Sequence, residues 1–203
     1  MIIGLTGKKR TGKDTIANYL NLKYMVTNLA LAGPLKEMCK VLFNWTDEHV
    51  YGNLKETIDP IWEVSPREVL QWFGTEVMQH MLPDRFSAYE KLIGRRHWVN
   101  LLISQMDITR DMFSSQKSIV ITDIRFPHEV LGLQDYAEKK STTFLVIRLN
   151  RNTGFTDTHP SETKIDDVFP DFELENNGTY EELYEKFNNY ILPYVVSKEL
   201  YLQ

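Results

Sequence analysis

The sequence predicts an α/β protein with a mainly parallel sheet, and three observations support that class. Strand-like and helix-like segments alternate along the chain, as in proteins built from β-α-β units. The clearest strand candidates are nearly continuous apolar runs, which is typical of parallel strands covered on both faces. These candidates are Met1–Thr6, Ser118–Asp123 and Thr142–Leu149. The first of them leads directly into a glycine-containing loop and then a helix.

The remaining elements follow from apolar spacing and from end signals. Weaker strands are predicted at Val26–Ala32 and Phe172–Glu175. Capping boxes at Ser65–Glu68 and Thr179–Glu182 begin two helices, and Pro193 should bend or end the last one. Four apolar stripes predict helices: Ile16, Leu20 and Tyr24; Val69, Phe73, Val77 and Met81; Val99, Leu102, Ile103, Met106 and Phe113; and Leu183, Phe187, Ile191 and Val195.

The composition narrows the function. A chain of 203 residues with 42% hydrophobic residues is long enough for one domain with a substantial core. Its 23 Lys+Arg against 28 Asp+Glu give a net charge of -5, which argues against sequence-independent binding to nucleic acid. Its single cysteine, Cys39, excludes an internal disulfide or a cysteine-based zinc site. With neither a signal peptide nor a membrane span in view, we expect a soluble, cytoplasmic protein without membrane partners.

The loop after the first strand has the pattern of a phosphate-binding loop. It reads Gly7-Lys-Lys-Arg-Thr-Gly-Lys-Asp-Thr15. Gly7 and Gly12 allow backbone turns that direct successive N–H groups inward, toward the positive end of the helix that follows. Lys13 supplies a charge for the terminal phosphates, and four of the six residues from Lys8 to Lys13 are basic. We therefore expect the loop, with Lys8, Arg10 and Thr11, to bind the phosphates of a nucleotide.

One position departs from the usual pattern. Asp14 stands where a Ser or Thr normally binds Mg²⁺, and the hydroxyl comes one residue later, at Thr15. Either Asp14 is an oxygen ligand of the metal, directly or through water, or Thr15 only contacts phosphate.

Seven segments, in order, resemble the phage-type deoxynucleoside monophosphate kinases. The glycine loop and the helix pattern R-x-x-x-Q-x-x-G-T-[DE] are the most specific of them. Animal-type phosphomevalonate kinases share the GKD loop and the strand end with aspartate-x-arginine, so they are the nearest rival. The segments are GKKRTGKDT (Gly7–Thr15), LAGPLKE (Leu31–Glu37), SPREVLQWFGTE (Ser65–Glu76), HWVNLL (His97–Leu102), VITDIRFPHE (Val120–Glu129), THPSE (Thr158–Glu162) and NNGTYEELY (Asn176–Tyr184).

The resemblance implies a P-loop kinase fold, with a central parallel sheet of about five strands flanked by helices. It implies a single domain over residues 1–203, with an acceptor-binding helical insertion at about 44–113. The polar segment Asn150–Pro170 lacks a strong period and is expected to be a lid at about 150–170. The implied reaction transfers the γ-phosphoryl group of ATP, with Mg²⁺, to a deoxynucleoside monophosphate.

Two groups of residues are candidates for the acceptor side. Arg67, Gln71 and Thr75 recur at i, i+4 and i+8 as a polar stripe that is turned away from the apolar stripe. Such a stripe could clasp a phosphate and a base, or it could be a solvated helix face, and the resemblance places it at the acceptor site. Trp98 could stack on the acceptor base or belong to the core.

The strand ends supply the catalytic candidates. Asp123 ends a predicted parallel strand and Arg125 follows it, at the edge where α/β sheets bind ligands. They could hold Mg²⁺ and neutralise phosphoryl oxygens, or simply pair to close a turn, whereas Glu129 is expected in the first turn of the next helix. Arg148 and Arg151 flank the start of the lid, where either could stabilise the transferred group or lie on the surface; we favour Arg151.

The last candidates lie in loops. A structural role is expected for His159, because an ionised phosphate acceptor needs no general base. Asn176 and Gly178 precede the last helix, where P-loop kinases place a loop beside the adenine, and they also suit a helix-capping turn.

Two other functions stay open, a phosphomevalonate-type kinase and a non-catalytic nucleotide-binding regulator. The sequence leaves the oligomeric state open, a homodimer included.

Overall fold

The computed structural model describes residues 1–112, 118–152, 154 and 158–200, without the side chains of 110–112 and 199–200. Its sheet has five parallel strands in the order β2-β3-β1-β4-β5. This confirms the predicted α/β class and strand number, although the weak second strand is shorter than predicted. The strands are β1 (Ile2–Thr6), β2 (Thr27–Leu29), β3 (Ile119–Ile124), β4 (Phe144–Asn150) and β5 (Phe172–Glu175).

Helices make up the rest of the regular structure. Within the described residues, no helix is long and apolar enough to cross a membrane. The α-helices are α1 (Lys13–Tyr24), α2 (Gly33–Phe43), α3 (Asp47–Val50), α4 (Pro66–Gln71), α5 (Leu82–Arg85), α6 (Ser87–Leu92), α7 (His97–Met112), α8 (Pro127–Lys139), α9 (Pro160–Thr163), α10 (Tyr180–Lys186) and α11 (Leu192–Leu200). Short 3₁₀ turns cover Asn53–Glu56, Gly94–Arg96 and Lys164–Asp167, and π-helical stretches cover Trp72–Met81 and Phe187–Ile191.

The chain divides into two compact units. The first unit comprises Met1–Ala30 and Leu101–Gln203 and contains the whole sheet, and the second is the helical unit Leu31–Asn100. The helical unit overlaps the predicted acceptor-binding insertion at about 44–113, whose bounds and role stay a prediction. Phe113, the last member of the third apolar stripe, lies outside the described residues.

The core of the first unit explains why its strands read as continuous apolar runs. β1 is buried along its whole length, and Ile3 and Leu5 pack in one cluster with Ile16 and Leu20 of α1. Because β1 lies between β3 and β4, the carboxyl ends of these three strands meet at one edge of the sheet. The loops that follow β1, β3 and β4 therefore begin close to one another.

Both π-helical stretches are followed by a proline. The N–H of Leu82 bonds to the Val77 carbonyl, five residues back, just before Pro83. Leu192 bonds to Phe187 in the same way, just before Pro193. A proline ring clashes with the carbonyl four residues back, so a widened turn gives the ring room within a continuing helix. Pro193 thus interrupts the last helix without ending it.

Candidate active site

The phosphate loop (Gly7–Lys13) joins β1 to α1 and has an unusual backbone. Gly7, Arg10 and Gly12 all have positive φ, at 135°, 63° and 102°. At Gly7, a side chain would also collide with the Leu149 carbonyl of β4. These turns, with intervening ordinary residues, form the kind of concave backbone that directs N–H groups toward an anion. The predicted need for both glycines is confirmed.

Hydrogen bonds hold the loop in this shape. The Lys13 Nζ donates to the carbonyls of Gly7 at 2.6 Å and Lys8 at 2.8 Å. The Thr11 hydroxyl donates to the Lys8 carbonyl at 2.8 Å. Buried Asn176 donates from Nδ2 to the Thr11 carbonyl at 2.9 Å. The Lys13 ammonium therefore folds back over its own loop, and Asn176 supports the loop from the end of β5.

Charged residues from separate segments surround Lys13. Burial lowers its pKa to about 8, and the positive charge of Arg125 adds to that effect. The carboxylates of Asp14, Glu162 and Asp123 act in the opposite direction. The first unit therefore gathers the predicted residues Lys13, Asp14, Asp123 and Arg125 near one another, and a third segment adds the carboxylate of Glu162.

That segment binds Arg125, which directly follows β3. Nη1 of Arg125 donates to the Ser161 carbonyl at 2.8 Å and contacts Glu162 Oε1. Burial opposes the charge of Arg125, but Glu162, together with the charges of Asp123 and Glu129, raises the pKa of the guanidinium. Arg125 therefore does more than close a turn with Asp123. Its contact with Glu162 joins the end of β3 to a residue 37 positions later in the chain.

Glu129 organises the same turn from the first turn of α8, where it was predicted. Its Oε2 accepts hydrogen bonds from the backbone N–H groups of Arg125 at 2.8 Å and Phe126 at 3.0 Å. Burial raises the pKa of Glu129 to about 7, against the lowering effect of these two bonds.

The predicted lid is partly an anchored segment, which we define as Pro160–Val168. Arg148 of β4 donates from Nη2 to the carbonyls of Ile165, at 3.0 Å, and Val168. Both of these apolar side chains are almost fully buried. Arg148 therefore fastens this segment to the sheet in this structure, and the lid at about 150–170 stays a prediction. Residues 153 and 155–157 of the predicted lid lie outside the described residues.

His159 has the structural role that was expected. Its Nδ1 accepts from the backbone N–H of Ser161 at 3.2 Å and so caps α9. Gly178 likewise belongs to a capping turn, because a side chain there would collide with the carboxylate of Glu182 in the box that begins α10. Asn176, being buried against Thr11, supports the loop rather than presenting its amide to a base.

Several predicted residues are open to ligands. The side chains of Arg10, Asp14 and Arg151 are exposed, and within the described chain none of them forms a hydrogen bond or an ion pair. Lys8 forms an exposed ion pair with Asp166 at 3.3 Å. The described residues contain no cluster of three or more metal-binding side chains. Mg²⁺ usually needs only one or two carboxylates beside substrate phosphates, so Asp14 and Asp123 suffice in number.

In the second unit, the predicted polar stripe turns inward. Arg67 and Thr75 are buried, Gln71 is half-buried, and Met81 of the apolar stripe is 55% exposed. From Trp72 onward the helix is π-helical, and its bonds span five residues, so the 3.6-residue register does not hold for Thr75 and Met81. The alternative of a solvated face is therefore wrong for Arg67 and Thr75. Arg67 Nη1 lies 3.5 Å from Glu56 Oε1.

Trp98 belongs to the core of this unit. It is buried, and its indole N–H donates to the Gly74 carbonyl at 2.8 Å. Gln79 donates to the same carbonyl at 3.2 Å. The prediction that Trp98 stacks on a base is not supported, because its ring is buried and its indole N–H is bonded to the peptide that joins Gly74 to Thr75.

Sequence reasoning missed Glu162, Ser161 and the supporting role of Asn176. Each acts on a residue far away in the chain, and no local pattern reports such a contact. The Thr-His-Pro-Ser-Glu segment offered one signal, since proline after a capping residue marks a helix start.

A parallel sheet in the order β2-β3-β1-β4-β5, with a phosphate loop between its central strand and α1, defines a P-loop kinase. The family description "Deoxynucleotide monophosphate kinase" matches residues 1–57 and 46–187 of this chain. A protein of Acanthamoeba polyphaga mimivirus, named "Putative deoxynucleotide monophosphate kinase", is 34% identical over 194 residues, covering 92% of this chain and 93% of the relative. The chain belongs to the deoxynucleotide monophosphate kinase family.

Solved structures of other kinases align with the chain at a distance. The APS kinase of Mycobacterium tuberculosis is 10% identical, with a TM-score of 0.45 over 93% of this chain and 94% of that one. The shikimate kinase of Aquifex aeolicus is 8% identical, with a TM-score of 0.44 over 97% of this chain and 99% of that one. These similarities are too distant to bear on substrate or mechanism.

Proposed function

We propose that this kinase transfers the γ-phosphoryl group of ATP to the phosphate of a deoxynucleoside monophosphate, giving the diphosphate and ADP. The observation that carries the proposal is the state of Lys13. Lys13 is half-buried, its ammonium donates to the Gly7 and Lys8 carbonyls of the concave loop, and burial lowers its pKa to about 8. A buried cation without enough compensation is costly, and the phosphates of a nucleotide would supply the compensating charge.

The donor set of the loop fits ATP. Backbone N–H groups of the phosphate loop and of the first turn of α1 would bind the donor phosphates, with Lys13 at the terminal ones. Exposed Arg10 and Lys8 add positive charge at the rim. Once bound, ATP supplies the phosphoryl group, while the chain orients it and neutralises its charge. No covalent intermediate with the protein is needed.

Two carboxylates are available for Mg²⁺. Asp14 is exposed at the start of α1, and Asp123 lies near the end of β3, each close enough to Lys13 to influence its charge. Hard oxygen ligands suit this ion, which usually binds one or two carboxylates together with substrate phosphates. We propose that Asp14, Asp123 or both hold the ion, directly or through water.

For the acceptor, we propose the buried polar side chains of the second unit. Arg67 offers two parallel donors to a phosphate, and Gln71 and Thr75 could hydrogen-bond a base or sugar. The support for this proposal is the resemblance of the segment Ser65–Glu76 to the acceptor-site helix of the family. Arg125 would neutralise the transferred group, and Arg151 remains a candidate for the same task.

A coupled assay of ADP release tests the proposal. The acceptors are dGMP, dTMP, dCMP, dAMP and phosphomevalonate, each with ATP and Mg²⁺. We expect ADP release that depends on at least one deoxynucleoside monophosphate, in line with the family, and none with phosphomevalonate. ATP binding without acceptor-dependent ADP release would instead indicate a nucleotide-binding regulator. The reaction uses small substrates found in the cytoplasm, where we place the protein.

A further inference from the structure

Arg125 is held by one end of its guanidinium only. Nη1 donates to the Ser161 carbonyl at 2.8 Å, lies 3.4 Å from the Ser161 hydroxyl, and contacts Glu162 Oε1. No acceptor among the described residues pairs with Nε or Nη2, and about 30% of the side chain is exposed. The edge formed by Nε and Nη2 is the one that binds a phosphate through two parallel bonds.

Glu162 is fixed in place independently of Arg125. It lies in α9 with only 4% of its surface exposed, and His159 caps that helix. On its other side, the anchored segment is fastened by buried Ile165 and by the two carbonyl contacts of Arg148. Because its backbone is held at both ends, Glu162 can orient Arg125 rather than simply follow it.

The charges around Arg125 call for such a partner. Arg125 and Lys13 are like charges close enough for Arg125 to lower the pKa of Lys13, while Glu162 acts to raise it. Without Glu162, repulsion and the gain in hydration would both favour rotation of the guanidinium away from Lys13. A carboxylate at Nη1 opposes that rotation and leaves the other edge of the guanidinium available.

We propose that Glu162 is a positioning residue. It holds Arg125 by Nη1 so that the Nε–Nη2 edge meets the oxygens of the transferred phosphoryl group beside Lys13. This inference rests on the proposed function, since it assigns Arg125 to the group in transfer. Orientation of that kind acts on the rate of transfer more than on the binding of either substrate.

A double-mutant cycle with Glu162→Gln and Arg125→Lys tests the proposal on the full chain. Glutamine keeps the size and one acceptor oxygen but loses the charge. We expect Glu162→Gln to lower kcat by about ten- to a hundred-fold, with the KM for ATP within roughly twofold of wild type. Because Glu162 acts through Arg125, the double variant should be no slower than Arg125→Lys alone.

Each outcome decides one question. Wild-type protein that transfers no phosphoryl group overturns the proposed function itself. With active wild type, unchanged kcat in Glu162→Gln, or losses that multiply in the double variant, would refute the positioning role and leave the function standing. The melting temperature of each variant is compared with wild type. If Glu162→Gln does not fold, Glu162→Asp, which retracts the same charge by one methylene, takes its place under the same criteria.

Discussion

Binding of ATP should draw a proton onto Lys13 at alkaline pH. With a pKa of about 8 in the free protein, Lys13 is roughly one-quarter protonated at pH 8.5. Phosphates beside it favour the charged form, so full protonation in the complex corresponds to uptake of about 0.75 proton per ATP. At pH 7 the lysine is already about nine-tenths protonated, and uptake falls to about 0.1.

Isothermal titration calorimetry measures this uptake directly. The titration is repeated at each pH in two buffers of different ionisation enthalpy, and the difference in heat gives the number of protons exchanged. Lys13→Arg is the matched control, because arginine keeps the positive charge and does not titrate in this range. Equal uptake by wild type and Lys13→Arg at pH 8.5 would mean that another group takes up the proton, and the reasoning about Lys13 would be refuted.

Three further variants test other parts of the site. Arg67→Met should raise the KM for the deoxynucleoside monophosphate and lower kcat/KM by about ten- to a hundred-fold, with little change in the KM for ATP. Arg67→Lys, which keeps the charge, should show a smaller loss. Wild-type kinetics in Arg67→Met would mean that Arg67 does not bind the acceptor. Asp14→Asn should weaken the Mg²⁺ dependence of the rate more than metal-free ATP binding; equal effects would indicate a role at the helix N-terminus only. Since the pKa of Glu129 rises from 4.5 to about 7 on folding, its contribution to stability is full below pH 4.5 and is lost as pH rises through 7, by roughly 3 kcal/mol at most. Urea unfolding at pH 5 and pH 8 should show that Glu129→Gln abolishes this part of the pH dependence.

The parts of the fold that follow from local chemistry could be predicted. Strands buried on both faces must be continuous apolar runs, so β1, β3 and β4 were found to within about two residues of their ends. The capping boxes at Ser65 and Thr179 formed as predicted, because a box depends on residues only three positions apart. The glycines of the phosphate loop were predictable for a related reason, since positive φ is a local property of the backbone.

Features that depend on distant contacts could not be predicted. The contact of Arg125 with Glu162, and that of Arg148 with the anchored segment, join residues that meet only when the sheet is complete. The exposure of Met81 follows a π-helical stretch, Trp72–Met81, which apolar spacing at 3.6 residues does not reveal. The sequence leaves Trp98 open between the core and a base, because the Gly74 carbonyl that accepts from its indole N–H lies 24 residues away in the chain.

The central claim is that this chain moves a phosphoryl group from ATP to a deoxynucleoside monophosphate with the help of Lys13. Incubation with γ-³²P-labelled ATP, Mg²⁺ and the monophosphate, followed by separation of the products, tests it most directly. The account predicts label in the deoxynucleoside diphosphate, and a loss of about 10²- to 10³-fold in rate for folded Lys13→Ala. Label released only as inorganic phosphate, or unchanged transfer by Lys13→Ala, would contradict it.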